Sequence, residues 1–230
     1  MLAKVIHLRL SAMSRVLVLT ALALSFSAVA AKAQVALPSS HQPDKYRDTS
    51  MLVPPPGAKV AIVEWEDLEC PACAHAFPFV HMAVDHYKIP YVRYDFLIPG
   101  HIWSREAAIY ARYLQDKVSP ELATQYRREV FASQFKFASK DDLNRFTQEF
   151  FKKKGKQVPF VVDPTGQLAR EVEKDVALGN KLGLTETPTL VVVTPKGWIQ
   201  VKDVSDLYQA IDQAEASMAT SSAEHHKTTK

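Results

Sequence analysis

The chain has two cysteines, and both stand in one tetrapeptide, Cys70-Pro71-Ala72-Cys73. It lies where an apolar, strand-like run (Val60-Ala61-Ile62-Val63-Glu64-Trp65) and a short acidic stretch (Glu66-Asp67-Leu68-Glu69) give way to a segment with helical spacing. A strand that feeds a cysteine pair into a helix start restricts both fold and chemistry. First-turn N–H groups of a helix lack intrahelical acceptors and can hydrogen-bond a thiolate, and the helix dipole favours negative charge there. Pro71 suits the first helical position, because its fixed φ is already helical and its missing N–H is not needed. A thiol so placed falls from a pKa of about 8.5 into the range of roughly 3.5 to 7.5, which makes it both attacking nucleophile and good leaving group. Three residues is close to one helical turn, so Cys73 comes within disulfide range of Cys70, on the more buried side. The spacing predicts a redox-active dithiol with Cys70 as its exposed member.

The N-terminus indicates where such a pair would work. Lys4, Arg9 and Arg15 precede the apolar run Val16-Leu17-Val18-Leu19-Thr20-Ala21-Leu22-Ala23-Leu24, which leads into small residues with two A-x-A sites, ending at Ala30 and at Ala33. This is the pattern of a secretory signal peptide, with cleavage open between the two sites. Its apolar core is shorter than the roughly 20 residues a spanning helix needs, so export is expected ahead of anchoring. Outside the cytosol a disulfide can be a plain staple, but a bridge closing so short a loop removes little entropy from the unfolded chain. A catalytic pair is the better reading. Removing residues 1–33 takes Lys4, Arg9, Arg15 and Lys32 and no acid, leaving 24 Lys+Arg against 25 Asp+Glu. The apparent basicity therefore belongs to the leader, and no basic patch points to a nucleic-acid partner. About 197 residues remain, enough for one core with an elaboration or for two small domains.

Residues 34–57 run through Pro38, Pro43 and Pro54-Pro55-Pro56-Gly57 and read as an extended arm, with the fold beginning near Ala58. A helix is expected from Pro71 to about His86, and period-two alternation over Pro90–Leu97 gives a second strand. Between Ile102 and about Lys154 three helix starts follow in succession, at Ser104, at Ser119-Pro120-Glu121 and at the capping-box-like Ser139-Lys140-Asp141-Asp142. Phe131, Phe135, Phe137, Phe146, Phe150 and Phe151 fall here and read as core rather than as a binding cluster. Gln167 to Leu182 is a further helix. A β-branched run opened by Pro188, a turn at Thr194-Pro195-Lys196-Gly197 and a returning strand, Trp198 to Val201, come next. The last helix spans Ser205 to Met218, and the small, polar residues from Ala219 read as a disordered tail.

This order of strand, Cys-Pro-Ala-Cys helix, strand, helical insert, helix, Thr-Pro, hairpin and terminal helix resembles the exported thiol oxidoreductases of the DsbA type. The resemblance covers about residues 58–218. Its most specific residues are the tetrapeptide itself, Glu64 six positions before Cys70, and Leu178-Gly179-Asn180-Lys181-Leu182-Gly183-Leu184 leading into Thr187-Pro188-Thr189. It implies an α/β thioredoxin fold: residues 58–99 and 163–218 form a discontinuous thioredoxin-like domain around a helical insert at 100–162. It also implies that Pro188 is cis and lies against the cysteine pair, and it matches Pro78 with the helix-kinking proline of thioredoxins proper. Ala72 departs from the many members that carry a thiolate-stabilising His there. Thr187 departs from the apolar residue of the best-known member.

Cys70 is expected to form a mixed disulfide and Cys73 to leave or resolve it. Glu64, one carboxylate in an apolar run, is either a desolvated acid that moves the proton of Cys73 or a Glu at the strand's exposed end. His75 either adds positive charge near the thiols or faces solvent. Pro71 and Ala72 shape the active-site loop, while Thr187 and Pro188 offer main chain to an extended substrate. The leading function is a periplasmic or otherwise extracytoplasmic disulfide oxidase acting on reduced exported proteins, with no cofactor beyond the Cys70–Cys73 disulfide. The resemblance implies a membrane reoxidase of the DsbB or vitamin K epoxide reductase type. The same chemistry in reverse gives a reductase or isomerase, but no dimerisation module is evident and a monomer is expected. Two readings of other classes remain: a metal or copper site from Cys70, Cys73, His75 and His81, and a chaperone that would stay active after Cys70→Ser.

Overall fold

Ala61–Glu66 forms the central strand, β1, and all six of its residues are buried. The computed structural model describes residues 46–227, the last eight by backbone alone; the leader expected at 1–33 and the first part of the expected arm lie outside the described residues. β1 runs parallel to β2 (Tyr91–Asp95) and antiparallel to β3 (Thr189–Thr194), which pairs with β4 (Gly197–Val201), giving the order β2-β1-β3-β4.

Alternation along β1 and β3 sorts side chains to two faces. Ile62, Leu190 and Val192 pack with Val80 and Ala83 of α1 (Pro71–Tyr87) and with Leu207 and Ile211 of a C-terminal helix. Val63, Trp65, Val191 and Val193 face the opposite way, against Leu182 and Phe96. Each fully buried aliphatic or aromatic side chain of this kind contributes roughly 1.5–3 kcal/mol. Because both faces are covered, β1 reads as a continuous apolar run, and Glu64 and Glu66 are the exceptions that need explaining.

After β2 come three helices, α2 (Ser104–Lys117), α3 (Pro120–Ser133) and α4 (Lys140–Lys153). Ser119 Oγ accepts from Leu122 N at 3.1 Å and Ser139 Oγ accepts from Asp142 N at 3.2 Å, so both expected caps form. Their core holds Phe131, Phe137, Phe150 and Phe151 with Phe146 at its margin. Phe135 departs from the expected core role: it sits in a 3₁₀ turn after α3 and is 83% exposed. The thiols share this insert core with Leu68, Phe77 and Trp103.

α5 (Gln167–Leu182) ends on Gly183 in the left-handed region, with Leu184 N donating to Gly179 O at 2.9 Å. Gly179 is required by packing, since a Cβ there would stand 2.4 Å from Phe96 Cδ2 and 3.3 Å from Trp65 Cδ1. The Thr187–Pro188 peptide is cis.

Two boundaries differ from expectation. The part of the arm within the described residues is irregular but packed: Leu52 is 2% exposed, Tyr46 lies against Trp198, and Arg47 N donates to Leu182 O at 2.9 Å. Proline excludes helix there without excluding burial of the apolar residues between the prolines. The last helix, α6, spans Leu207–Lys227, running past Met218 because nothing from Ala219 to Lys227 is Gly or Pro and several residues are good helix formers.

Candidate active site

Cys70 is the extended N-cap residue of α1, with φ −78° and ψ 121°, and Pro71 is the first helical residue. The Cys70 side chain makes no capping hydrogen bond of full geometry, but the first-turn N–H groups of Ala72 and Cys73 act on its sulfur. Both thiols are free and buried, Cys70 at 8% exposure and Cys73 at 1%, so Cys70 is the more accessible member without being an exposed residue. Pro71 and Ala72 between them are exposed.

The hydrogen bond from Cys73 does most to hold the Cys70 thiol down, to about 5, and Thr187 and the backbone N–H groups of Cys73 and Ala72 add to it against the opposing effect of burial. Burial, followed by the bond to Cys70 and the charges of Cys70 and Glu64, pushes the Cys73 thiol well up. The pair is thereby split into a ready thiolate and a sulfur that keeps its proton. When protonated, the Cys70 thiol donates to Thr187 O at 3.3 Å, which places the residue before the cis proline against the nucleophile. The Thr187 hydroxyl is buried without a hydrogen-bond partner of good geometry.

Glu64 is 1% exposed, not at an exposed strand end. It shares the β1 face of Ile62, which packs on α1, and its charge acts on Cys73. Burial first, then the neighbouring charge of Glu66, raises its carboxyl to about 8. His75 goes to solvent: it is exposed, with its ring tilted against Phe79 at a centroid distance of 5.3 Å. Its charge is felt at Asp203, and His81 packs on Phe77 and Tyr91. Among the described residues no three His, Cys, Asp or Glu side chains come together in a metal-binding arrangement.

Several residues of the site carry no local sequence signal. Asp67 N donates to Cys73 Sγ at 3.4 Å, and the Asp67 carboxylate accepts from Glu69 N and Ile98 N at 2.8 Å each and pairs with His101 Nδ1 at 2.8 Å. Glu69 Oε2 accepts from Trp103 N at 2.6 Å and Ser104 N at 2.9 Å, capping α2 across space, since Trp103 has no capping side chain. Gln134 donates to Leu68 O at 2.8 Å and Cys70 O at 3.0 Å. Together these tie the loop before Cys70 to the insert.

Behind the thiols lies a buried ion cluster. Arg127 approaches Glu66 at 3.4 Å and Asp95 at 3.6 Å; Arg93 lies 2.6 Å from Asp95, and Arg112 bonds both Asp95 and Asp175. Burial alone would raise the Asp95 carboxyl, but the three guanidiniums bring it down to about 2. Arg127 was legible in one respect: it falls on the buried stripe of α3 with Ala123 and Val130, where a charge is out of place.

Comparison with known proteins agrees with this architecture. The thioredoxin family model matches residues 47–213. No curated protein matches by sequence. Among solved structures, the thiol-disulfide exchange protein alpha-DsbA2 from Wolbachia pipientis is similar at TM-score 0.51 and 18% identity, covering 70% of this chain and 84% of that one. ScsC from Proteus mirabilis, in a transitional conformation, gives 0.55 and 16% over 71% of each chain. DsbA2 from Pseudomonas aeruginosa gives 0.52 and 18%, covering 75% of this chain and 96% of its own. Like these, the chain combines a thioredoxin-type sheet with an inserted set of helices.

Proposed function

The chain belongs to the thioredoxin family, and from that premise we propose that it is an exported thiol:disulfide oxidoreductase that works as a disulfide oxidase. The observation that carries the reading is the split between the two thiols, Cys70 held down to about 5 and Cys73 pushed well up. A stabilised thiolate makes the dithiol form favourable relative to the disulfide, so the oxidised protein passes its disulfide on readily.

In this reading a substrate thiolate attacks Cys70 of the oxidised protein, and the electron pair of the broken bond leaves on Cys73. Neutral Glu64 supplies the proton Cys73 then needs. A second substrate thiolate attacks the mixed disulfide, releases Cys70 as thiolate and takes the disulfide away. Thr187 and Pro188 border the nucleophile and present main chain to an extended substrate, with Pro71 and Ala72 forming the exposed loop it meets. The substrates are reduced exported proteins in the periplasm or an equivalent compartment, consistent with the leader, and a membrane reoxidase of the DsbB or vitamin K epoxide reductase type renews the disulfide. No helix among the described residues is long and apolar enough to cross a membrane. We assign 58–99 and 163–218 to the catalytic domain and 100–162 to the insert. His75 is given no catalytic role.

The test is the equilibrium of the mature protein with glutathione mixtures, followed by thiol trapping. A potential near about −120 mV supports the oxidase, whereas one near about −270 mV makes it a reductase. Cys73→Ala is expected to accumulate a mixed disulfide at Cys70, and Cys70→Ser to abolish exchange.

A further inference from the structure

Glu64 uses its two oxygens differently. Oε2 accepts from the Tyr91 hydroxyl at 2.5 Å, while Oε1 is buried with no hydrogen-bond partner. Tyr91 opens β2 opposite Ile62, on the edge of the sheet. Tyr91 is one of the residues lining a pocket of about 350 Å3, with His81, Arg93, Arg112, Thr124 and Arg127. The charged and titratable groups that act on Glu64 are Glu66 from β1, Tyr91 and Arg93 from β2, Arg127 from α3 and Cys73 from α1. Tyr91 alone among the described residues holds the carboxyl by a hydrogen bond.

We propose that Tyr91 is the positioning residue of Glu64: its hydroxyl fixes one carboxyl oxygen, leaves the other free for Cys73, and links the carboxyl to the solvent pocket behind it. The inference rests on the reading of Glu64 as proton donor to Cys73. During exchange, a substrate sulfur bonds to Cys70 Sγ, the Cys70–Cys73 bond breaks, and its electron pair stays on Cys73 Sγ. Glu64 passes its proton to that sulfur and becomes a carboxylate. Tyr91 then gives its hydroxyl proton to Oε2 and takes one from water in the pocket, so the net transfer is one proton from solvent to Cys73. A buried acid without such a link would have to be reprotonated through the thiol it serves.

A donating hydroxyl favours the charged carboxylate, so Tyr91 works against burial and against Glu66. The experiment is the rate at which glutathione reduces the oxidised protein between pH 5 and 10, expressed per glutathione thiolate. The wild type is expected to inflect near 8. Tyr91→Phe, which keeps the ring, should move the inflection up by about one unit, a tenfold change in ionisation at fixed pH. Incorporating 3,5-difluorotyrosine at position 91, a stronger donor, should move it down. In a Glu64→Gln background the inflection should vanish and Tyr91→Phe should add nothing. If Glu64→Gln removes the inflection but neither change at position 91 moves it, the Tyr91 proposal is overturned and Glu64 keeps its role. A Tyr91→Phe shift that persists in Glu64→Gln also overturns it. An inflection unaffected by Glu64→Gln overturns the reading of Glu64 itself.

Discussion

Cys70 joins a loop to a helix, and the chemistry of the whole chain narrows to its sulfur. Its thiol is held down from the ordinary thiol range to about 5, first by the bond from Cys73. Folding of the reduced protein therefore gains from the thiolate, a contribution absent below about pH 5 that builds as the pH rises towards 9. The disulfide form has no such term. The melting temperature of the reduced protein is thus expected to rise relative to the oxidised one from pH 5 to 8, with thiolate absorbance titrating near pH 5. Parallel pH profiles for the two forms would sink this assignment. At this scale the sequence was informative about Cys70, Cys73 and Pro188, because a cysteine pair at a helix start and a proline opening a strand are rare enough to carry meaning alone. It was silent on which way Glu64 points, since one acid in an apolar run suits a buried face and a strand end equally.

Among the elements, the helix starts at Ser119 and Ser139 were legible because their caps are local, three residues from donor to acceptor. The start of α2 was not, for its cap is Glu69, 34 residues from Trp103 and 35 from Ser104 in the chain. Glu69→Ala leaves those two N–H groups without their acceptor, and its expected cost is about 1–2 kcal/mol of stability, typical of a lost cap. Because Glu69 adjoins Cys70, loss of its negative charge should lower the Cys70 pKa. Urea unfolding and the thiolate titration read the two effects, and a stability loss with no change in titration would show that the cap serves the insert alone.

For the molecule as a whole, the insert and the sheet meet through the ion cluster of Arg127, Arg93 and Arg112 with Glu66, Asp95 and Asp175. Removing one member of such a buried set leaves its partners uncompensated, at about 3–5 kcal/mol. Arg127→Met, which keeps most of the volume, is expected to lose this much in denaturant unfolding, nearly independently of salt because the cluster is screened little. A loss below about 1 kcal/mol would mean that Arg93 and Arg112 satisfy both acids alone. The sequence by itself determined the order of elements, the cysteine pair at the head of α1, the glycine and proline signals leading to β3, and the local caps. All of these depend on neighbours a few residues apart, where hydrogen-bond reach, φ restriction and periodicity act directly. Tertiary structure alone decided that Glu64 is buried with Tyr91 on one oxygen, that His75 turns to solvent, that residues 46–57 pack onto the body, and that Glu69 and Gln134 fasten the active-site loop to the insert. Those outcomes depend on which side chains meet after long stretches of chain return, and on the dielectric and the charges each buried group finds there.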